Sequence, residues 1–228
     1  MSGLELIQAS VAGHELTSRP HEVLGLPRGF VDPELEGWGM ANEILDLGRT
    51  YLEFIAPAGP SSPLHGFLAQ GEGGYVVALR TPDTNALVER ASRRGVRLVH
   101  RQEFHGADIV QLHPDDLGVT LEADLLPEGR HWHYDTLDVP ERPEDAPVRD
   151  LVAVDVAVDS PEEKAELWAF LLDAPLASAT SVQAGSRLVR FVPSTGRTGL
   201  AAVDLRAPHA AEHVLSGLTV RFVPEGNT

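Results

Sequence analysis

The chain has 228 residues, and its 34 Asp and Glu against 18 Lys and Arg give a formal charge of −16. A hydrophobic content of 43% with 23% charged residues is typical of a globular protein and excludes a disordered or collagen-like chain. The acidic balance argues against nucleic-acid binding, and the absence of cysteine excludes disulfides, thiolate nucleophiles and cysteine-based metal sites.

The chain begins with the least regular of three similar stretches. A strand is predicted at 4–11, and residues 12–37 lack a helical period, so we expect a short helix or a loop there. A hairpin then joins strands at 43–47 and 50–55 through a turn that contains Gly48.

The second stretch is more regular than the first. A strand at 75–79 leads into a helix at 81–94, which has Pro82 in its first turn and Gly95 after its last. Three further strands are predicted at 97–100, 108–112 and 118–124.

The third stretch has the most clearly predicted elements. A strand at 151–158 leads into a helix that Ser160 and Glu163 begin with the spacing of a capping box. Strands follow at 187–192 and 199–205, and the tail at 218–223 could add one more.

All three stretches run from a strand, through a connection long enough to hold a helix, to paired strands that carry an acidic residue. This repetition predicts an α+β fold of tandem βαβββ modules, because a recurring order of elements is the signature of a repeated unit. We predict a module pair at 1–125 that closes a cleft, a linker at 126–150 that is rich in proline and acidic residues, and a third module at 151–228.

Four short segments carry a further signal. They read Gly-Trp-Gly-Met-Ala-Asn at 37–42, Tyr-Leu-Glu-Phe-Ile at 51–55, Gly-Tyr-Val-Val-Ala-Leu at 74–79 and His-Pro-Asp-Asp-Leu-Gly-Val-Thr-Leu-Glu at 113–122. This set resembles the glyoxalase-like branch of the vicinal oxygen chelate (VOC) superfamily, which includes glyoxalases, bleomycin-resistance proteins and dioxygenases. The resemblance covers residues 1–124 as a module pair and, more loosely, 150–228.

The resemblance implies a divalent metal in the cleft, held by two residues on opening strands, usually His, and by two acidic or amide residues on closing strands. By position, the closing pair falls on Glu53 and Glu122, whereas the opening pair falls on Leu6 and Val76. Aliphatic side chains cannot bind a metal, so we expect no tightly bound metal at the usual place and no other cofactor. The histidines that could rebuild a site from nearby loops are His65, His105 and His113.

Glu53 is the strongest candidate functional residue, because both faces of its strand consist of apolar or aromatic residues. A carboxylate there must be solvated by a cavity, paired or protonated. We predict Glu53 and Glu122 as catalytic residues that share acid and base roles. The alternatives are a structural contact of Glu53 with Arg80 or a tyrosine, and simple solvation of Glu122. The candidate ligand-binding residues are Leu6, Trp38, Asn42, Tyr75 and Val76.

A second polar pattern lies in the predicted linker. His131 and His133 alternate and Asp135 continues the series, so an extended segment would point all three the same way, as in some metal sites. The more ordinary interpretation is a chance His-x-His, with Trp132 and Tyr134 docking the linker onto a module.

Two classes of function remain open at this point. The first is a protein that binds a small organic ligand in the cleft without the usual metal, and the second is a lyase or isomerase that acts on a small carbonyl or acid substrate through Glu53 and Glu122. With no apolar run long enough to span a bilayer and no basic start, we expect a cytoplasmic protein without membrane or nucleic-acid partners. An odd third module would leave a sheet edge uncovered, which predicts a homodimer.

Overall fold

A computed structural model describes residues 3–135, 140 and 142–225. The strands are β1 (Glu5–Ala12), β2 (Met40–Asp46), β3 (Tyr51–Pro57), β4 (Gly73–Arg80), β5 (Leu98–Phe104), β6 (Ala107–Leu112), β7 (Thr120–Leu125), β8 (Arg149–Val158), β9 (Leu176–Ser178), β10 (Ser181–Ala184), β11 (Arg187–Pro193), β12 (Gly199–Arg206), β13 (Ala211–Leu215) and β14 (Leu218–Val223). The helices are α1 (Arg19–Leu24), α2 (Leu64–Leu68), α3 (Thr84–Arg93), α4 (Pro114–Leu117) and α5 (Pro161–Leu172), with a 3-10 helix at Pro33–Trp38. None of the helices in these described ranges has the length and apolar content needed to cross a membrane.

The described residues divide into two compact units that do not follow chain order. The first unit contains residues 3–7, 76–135 and 153–201. The second unit contains the remaining described residues, which are 8–75, 140, 142–152 and 202–225. Part of the predicted linker, at 136–139 and 141, lies outside the described residues.

The first unit contains two βαβββ modules, which confirms the predicted α+β fold class. In one module, β4 pairs in parallel with β7, and antiparallel β6 and β5 follow in order. In the other module, β8 pairs in parallel with β11, and antiparallel β10 and β9 follow. Helices α3 and α5 provide the crossovers between β4 and β5 and between β8 and β9.

The second unit contains two smaller groups of strands. The predicted strand at 4–11 and the predicted hairpin correspond to β1 and to the antiparallel pair of β2 and β3. Strand β1 pairs in parallel with β3. The other group has β12 parallel to β14 and β13 antiparallel to β14. Ser216 and Gly217 form the two-residue turn between β13 and β14 with φ values of 43° and 76°, as such hairpin turns require.

The chain after residue 198 therefore differs from the prediction, which assigned 199–205 to the end of a third module. Strand β12 pairs with β14 and is therefore the first strand of a fourth group. In this group β13, which forms a hairpin with β14, lies between β12 and β14 in the chain, where the modules have a crossover helix. The domain boundaries at 125 and 150 stay a prediction.

Helix α5 anchors the module that β8 opens. Pro161 occupies its first turn as expected, but the Ser160 side chain makes no capping hydrogen bond, so the predicted capping box does not form. The indole of Trp168 is fully buried, donates its Nε1 hydrogen to the Leu117 carbonyl at 3.2 Å and meets the Phe191 ring edge-on at 5.4 Å. Apolar burial and one satisfied donor together fix the helix on its sheet.

Candidate functional site

Glu53 lies in the middle of the small sheet that β2, β3 and β1 form in the second unit. The strand register places Ser10 of β1 on one side of Glu53 and Ile44 of β2 on the other. Only 9% of Glu53 is exposed. The prediction that Glu53 lies in a strand with both faces buried is therefore confirmed for this residue.

Three neutral side chains hold the Glu53 carboxylate. Gln8 donates from Nε2 to Oε2 at 3.0 Å, and Ser10 donates from its hydroxyl to the same oxygen at 2.5 Å. Asn42 donates from Nδ2 to Oε1 at 2.6 Å, and its own Oδ1 accepts the Asp32 backbone N–H at 2.9 Å, which fixes the orientation of the amide. These donors orient the carboxylate.

The alternation of strand β1 explains two of these donors, which sequence analysis missed. Gln8 and Ser10 occupy alternate positions and therefore share one face, whereas Ile7, Ala9 and Val11 are buried on the other. Two polar residues at positions i and i+2 of an otherwise apolar strand could have indicated that Gln8 and Ser10 contact a buried polar group.

An apolar core cluster includes Ile55, which lies two residues after Glu53 on β3. We call it the Ile55 cluster: the buried Ala12, Ile55, Leu64 and Leu68 with the partly buried Leu35, Met40, Phe67 and Tyr75. Within it, the Phe67 and Tyr75 rings meet edge-on at 5.0 Å. Strand β3 of the second unit thus carries both a fixed buried acid and a residue of an apolar cluster.

The pKa of the Tyr75 hydroxyl depends in part on the negative charge of Glu53. Burial raises the pKa of the Tyr75 phenol above its ordinary value of 10.0, and the negative charge of Glu53 raises it further. The phenol is therefore protonated at neutral pH and can act as a hydrogen-bond donor. Because the folded-state pKa is raised, this contribution to stability is complete below pH 10.0 and is lost as the pH rises through the folded-state value.

We expect an ultraviolet difference titration of tyrosinate, with Tyr75→Phe as the blank, to show Tyr75 ionising above pH 10.0. Glu53→Gln should lower this pKa only partway, because it removes the nearby charge but leaves the burial, which is the larger cause. The exposed Glu36→Gln serves as the control and should leave the titration unchanged. An ordinary pKa for Tyr75, or no response to Glu53→Gln, would contradict this account.

The positions implied for a metal by the resemblance do not fit one. Leu6 and Val76 are buried aliphatic residues, as expected from the sequence. The three side chains that donate to Glu53 are amides and a hydroxyl, which present hydrogens to it. We therefore derive no chemistry from a metal at these positions.

Glu122 lies on β7 in the first unit, whereas Glu53 lies in the second. It is partly buried, and its Oε2 accepts a hydrogen bond from Gln111 Nε2 at 2.7 Å. Each acid thus has its own partners, and the shared acid pair stays a prediction. Arg80, the alternative partner considered for Glu53, instead pairs with Glu5 at 2.6 Å.

The segment around His133 is a turn rather than the extended strand that the alternation of histidines required. Asp135 closes the turn by accepting the backbone N–H groups of His131 and Trp132 at 2.6 and 3.1 Å. His131 is exposed, whereas Trp132, His133 and Tyr134 are buried. The expected docking role of the two aromatic residues fits this burial, but the histidines do not share a face.

The other predicted residues lie at the edges of elements. Trp38 ends the 3-10 helix and is 57% exposed. His65 is exposed and hydrogen-bonds the Gly59 carbonyl, His105 occupies a turn with φ of 48°, and the His113 ring accepts the Asp115 N–H at the start of α4.

A separate cavity of about 320 Å³ lies in the second unit, beyond the end of β1. Its lining includes His14, Arg19, Glu72 and Ser216 but neither Glu53 nor its three donors. We therefore place the candidate site at Glu53 by its buried charge rather than by this cavity.

Comparisons with known proteins agree with this fold. Residues 18–172 match the model of the glyoxalase-like domain family. The mitochondrial methylmalonyl-CoA epimerase of Bos taurus is 30% identical over 104 residues, which cover 43% of this chain and 59% of the epimerase; the Homo sapiens protein is 28% identical over 88 residues, covering 36% and 50%. The chain thus spans between half and three-fifths of these relatives.

Among solved structures, a hypothetical protein from Staphylococcus aureus superposes with a TM-score of 0.72 at 14% identity, covering 98% of this chain and 100% of that one. This likeness extends the shared fold over the whole chain. With more than half of its residues matched by the family model, the chain belongs to the glyoxalase-like domain family, within the VOC superfamily that its sequence motifs resemble.

Proposed function

We propose that this protein binds a small organic ligand at Glu53, on the face of the sheet that carries the Ile55 cluster. The observation that supports this most directly is the buried carboxylate, held in place by three neutral donors. Burying a charge costs several kcal/mol unless it is compensated, and such costs concentrate at functional sites. Because the three donors fix the carboxylate in one orientation, a ligand that offers a hydrogen to Glu53 meets an acceptor that is already positioned.

The surroundings indicate the chemistry of the ligand. Glu53 selects a hydroxyl, amide or ammonium hydrogen, and any carboxylate of the ligand must lie away from it because like charges repel. The protonated Tyr75 phenol donates to a ligand oxygen, and the Ile55 cluster accepts a short apolar chain. These preferences together describe a small acyl compound with a polar head and an apolar tail.

We expect a thermal-shift screen of small amides, hydroxy acids and acyl thioesters, including methylmalonyl-CoA, to find ligands that raise the melting temperature. The affinity of such a ligand, measured by calorimetry, should fall at least about tenfold in Glu53→Gln, since a hydrogen bond to a charged group contributes roughly 1.5–3 kcal/mol. Glu36→Gln, at an exposed position, is the matched control and should bind normally. A ligand that binds Glu53→Gln as tightly as the unmodified protein would place its site elsewhere.

The second candidate is an isomerase or lyase that uses Glu53 and Glu122, and the identity with methylmalonyl-CoA epimerases favours it. One carboxylate could remove the hydrogen next to a thioester carbonyl as a base, and the other, protonated, could deliver a proton to the opposite face of the planar enolate. The same protein samples incubated with methylmalonyl-CoA in D2O discriminate the two functions. Deuterium uptake that falls about 10²–10⁴-fold in Glu53→Gln supports catalysis, whereas tight binding without exchange supports a binding protein.

The homodimer, the cytoplasmic location and the absence of a metal at the positions of Leu6 and Val76 stay predictions. Since one fold of this kind hosts many activities, the proposal rests on the site rather than on the family name.

A further inference from the structure

Three ionisable side chains converge in the first unit, away from Glu53. Glu122 and Asp124 lie two residues apart on β7 and therefore share a face, and His133 reaches them from the turn that follows. One potential ligand atom of each lies within 4.8 Å of those of the other two. Two ligands about 2.1 Å from one tetrahedral metal ion lie roughly 3.4 Å apart, so this spacing suits a common ion after small adjustments.

Asp124 provides an independent sign that a ligand belongs here. It is fully buried, and its Oδ2 lies 2.7 Å from His133 Nδ1. Its Oδ1 is also buried, and no hydrogen-bond donor for it exists among residues 3–135, 140 and 142–225. A buried acceptor left in this way costs about 1–3 kcal/mol, and native proteins seldom retain one without a reason.

The composition of this cluster also suits a cation. Its three potential ligands are two carboxylates and one imidazole. A divalent cation would balance the carboxylates and would supply the missing partner of Asp124 Oδ1. A histidine nitrogen in the set favours a first-row transition metal over calcium or magnesium, which prefer oxygen ligands.

We propose that Glu122, Asp124 and His133 form a binding site for a divalent transition-metal ion such as Zn²⁺. Only Glu122 coincides with a position that the family resemblance singles out; Asp124 and His133 are additions of this chain. Three protein ligands leave at least one coordination position open for water or a ligand oxygen, as in catalytic rather than structural zinc sites.

The surroundings of the cluster support a preformed site. Gln111 holds one oxygen of Glu122, so the other is oriented by the same contact. Aromatic rings enclose His133: Phe104 meets it edge-on at 5.8 Å, and Trp132 and Tyr134 lie 5.1 and 4.3 Å from it. Apolar walls restrict water and strengthen the attraction between ion and carboxylates.

The test uses the full chain, stripped of metal by chelator and titrated with ZnCl2 by calorimetry. We expect one tightly bound ion per chain and a rise in melting temperature on binding. Asp124→Asn, His133→Gln and Glu122→Gln should each weaken this binding by at least about 10- to 100-fold, the loss typical of even indirect disruption of a metal site. His131→Gln, which removes the exposed neighbouring histidine, is the matched control and should bind as the unmodified chain does.

Two further measurements distinguish loss of metal binding from loss of folding in a variant. Circular dichroism identifies variants that have lost structure, and Glu122→Gln, at a partly buried position, is the change that the fold should tolerate best. In the unmodified chain, absorption bands of bound Co²⁺ should report nitrogen and oxygen ligands. Failure of the unmodified chain to bind Zn²⁺ or Co²⁺, or equal affinity in folded His133→Gln, would overturn the site and leave His133 and Asp124 as a structural pair.

Discussion

Replacing Glu53 with leucine is expected to lower the free energy of unfolding by about 3 kcal/mol. The change removes the acceptor of hydrogen bonds from Gln8, Ser10 and Asn42. Each hydrogen bond to a charged group contributes roughly 1.5–3 kcal/mol, so three of them outweigh the several kcal/mol regained by no longer burying the charge. Urea denaturation followed by circular dichroism measures the difference.

The comparison with Glu53→Gln separates structural from functional roles. Glutamine keeps one acceptor oxygen and removes the charge, so we expect it to cost less stability than leucine while still weakening ligand binding. Glu36→Leu, on the exposed surface of the same unit, should change stability by no more than about 0.5 kcal/mol. If Glu53→Leu were as stable as the unmodified protein, the three donors could not be holding a charged acid.

The sequence was sufficient for the regular elements, for particular reasons. Helix α5 and strand β8 carry long stripes of apolar residues. Helix α3 was predicted at 81–94 with Pro82 in its first turn, but it begins at Thr84, and Pro82 lies before it. Asp83 caps the helix instead, because its side chain accepts the Ala86 N–H at 2.9 Å. Strands β9, β10 and β13 were not predicted, because they have only three to five residues, and most side chains of β9 and β13 are exposed. The fourth group of strands is defined by the pairing of β14 with β12 and β13. Local sequence patterns do not specify which strands pair.

The candidate site was predictable in part. Glu53 stood out because a charge in an apolar strand must be compensated, and Asn42 entered through the family resemblance. Gln8 and Ser10 required the register of β1 against β3, which joins residues more than forty positions apart. Asp124 and His133 required the turn at 131–135 that Asp135 closes, and the alternation of histidines had suggested an extended segment instead.

The largest effect of packing is expected at Trp168, where alanine should lower the free energy of unfolding by about 3–5 kcal/mol. The fully buried indole fills the space between α5 and Phe191, and its hydrogen bond to the Leu117 carbonyl would be lost. Trp168→Phe keeps much of the volume but leaves that carbonyl without this donor, so its effect should be intermediate.

Trp38→Ala provides the matched control, because the same side chain is 57% exposed there. We expect a change in stability of no more than about 0.5 kcal/mol, and a weaker ligand affinity only if the 3-10 helix takes part in the proposed site. Asp32, which starts that helix, also fixes the Asn42 amide through its backbone N–H, so the two are physically linked. Equal losses of stability at Trp38 and Trp168 in urea denaturation would contradict the assignment of the core to α5 and its sheet.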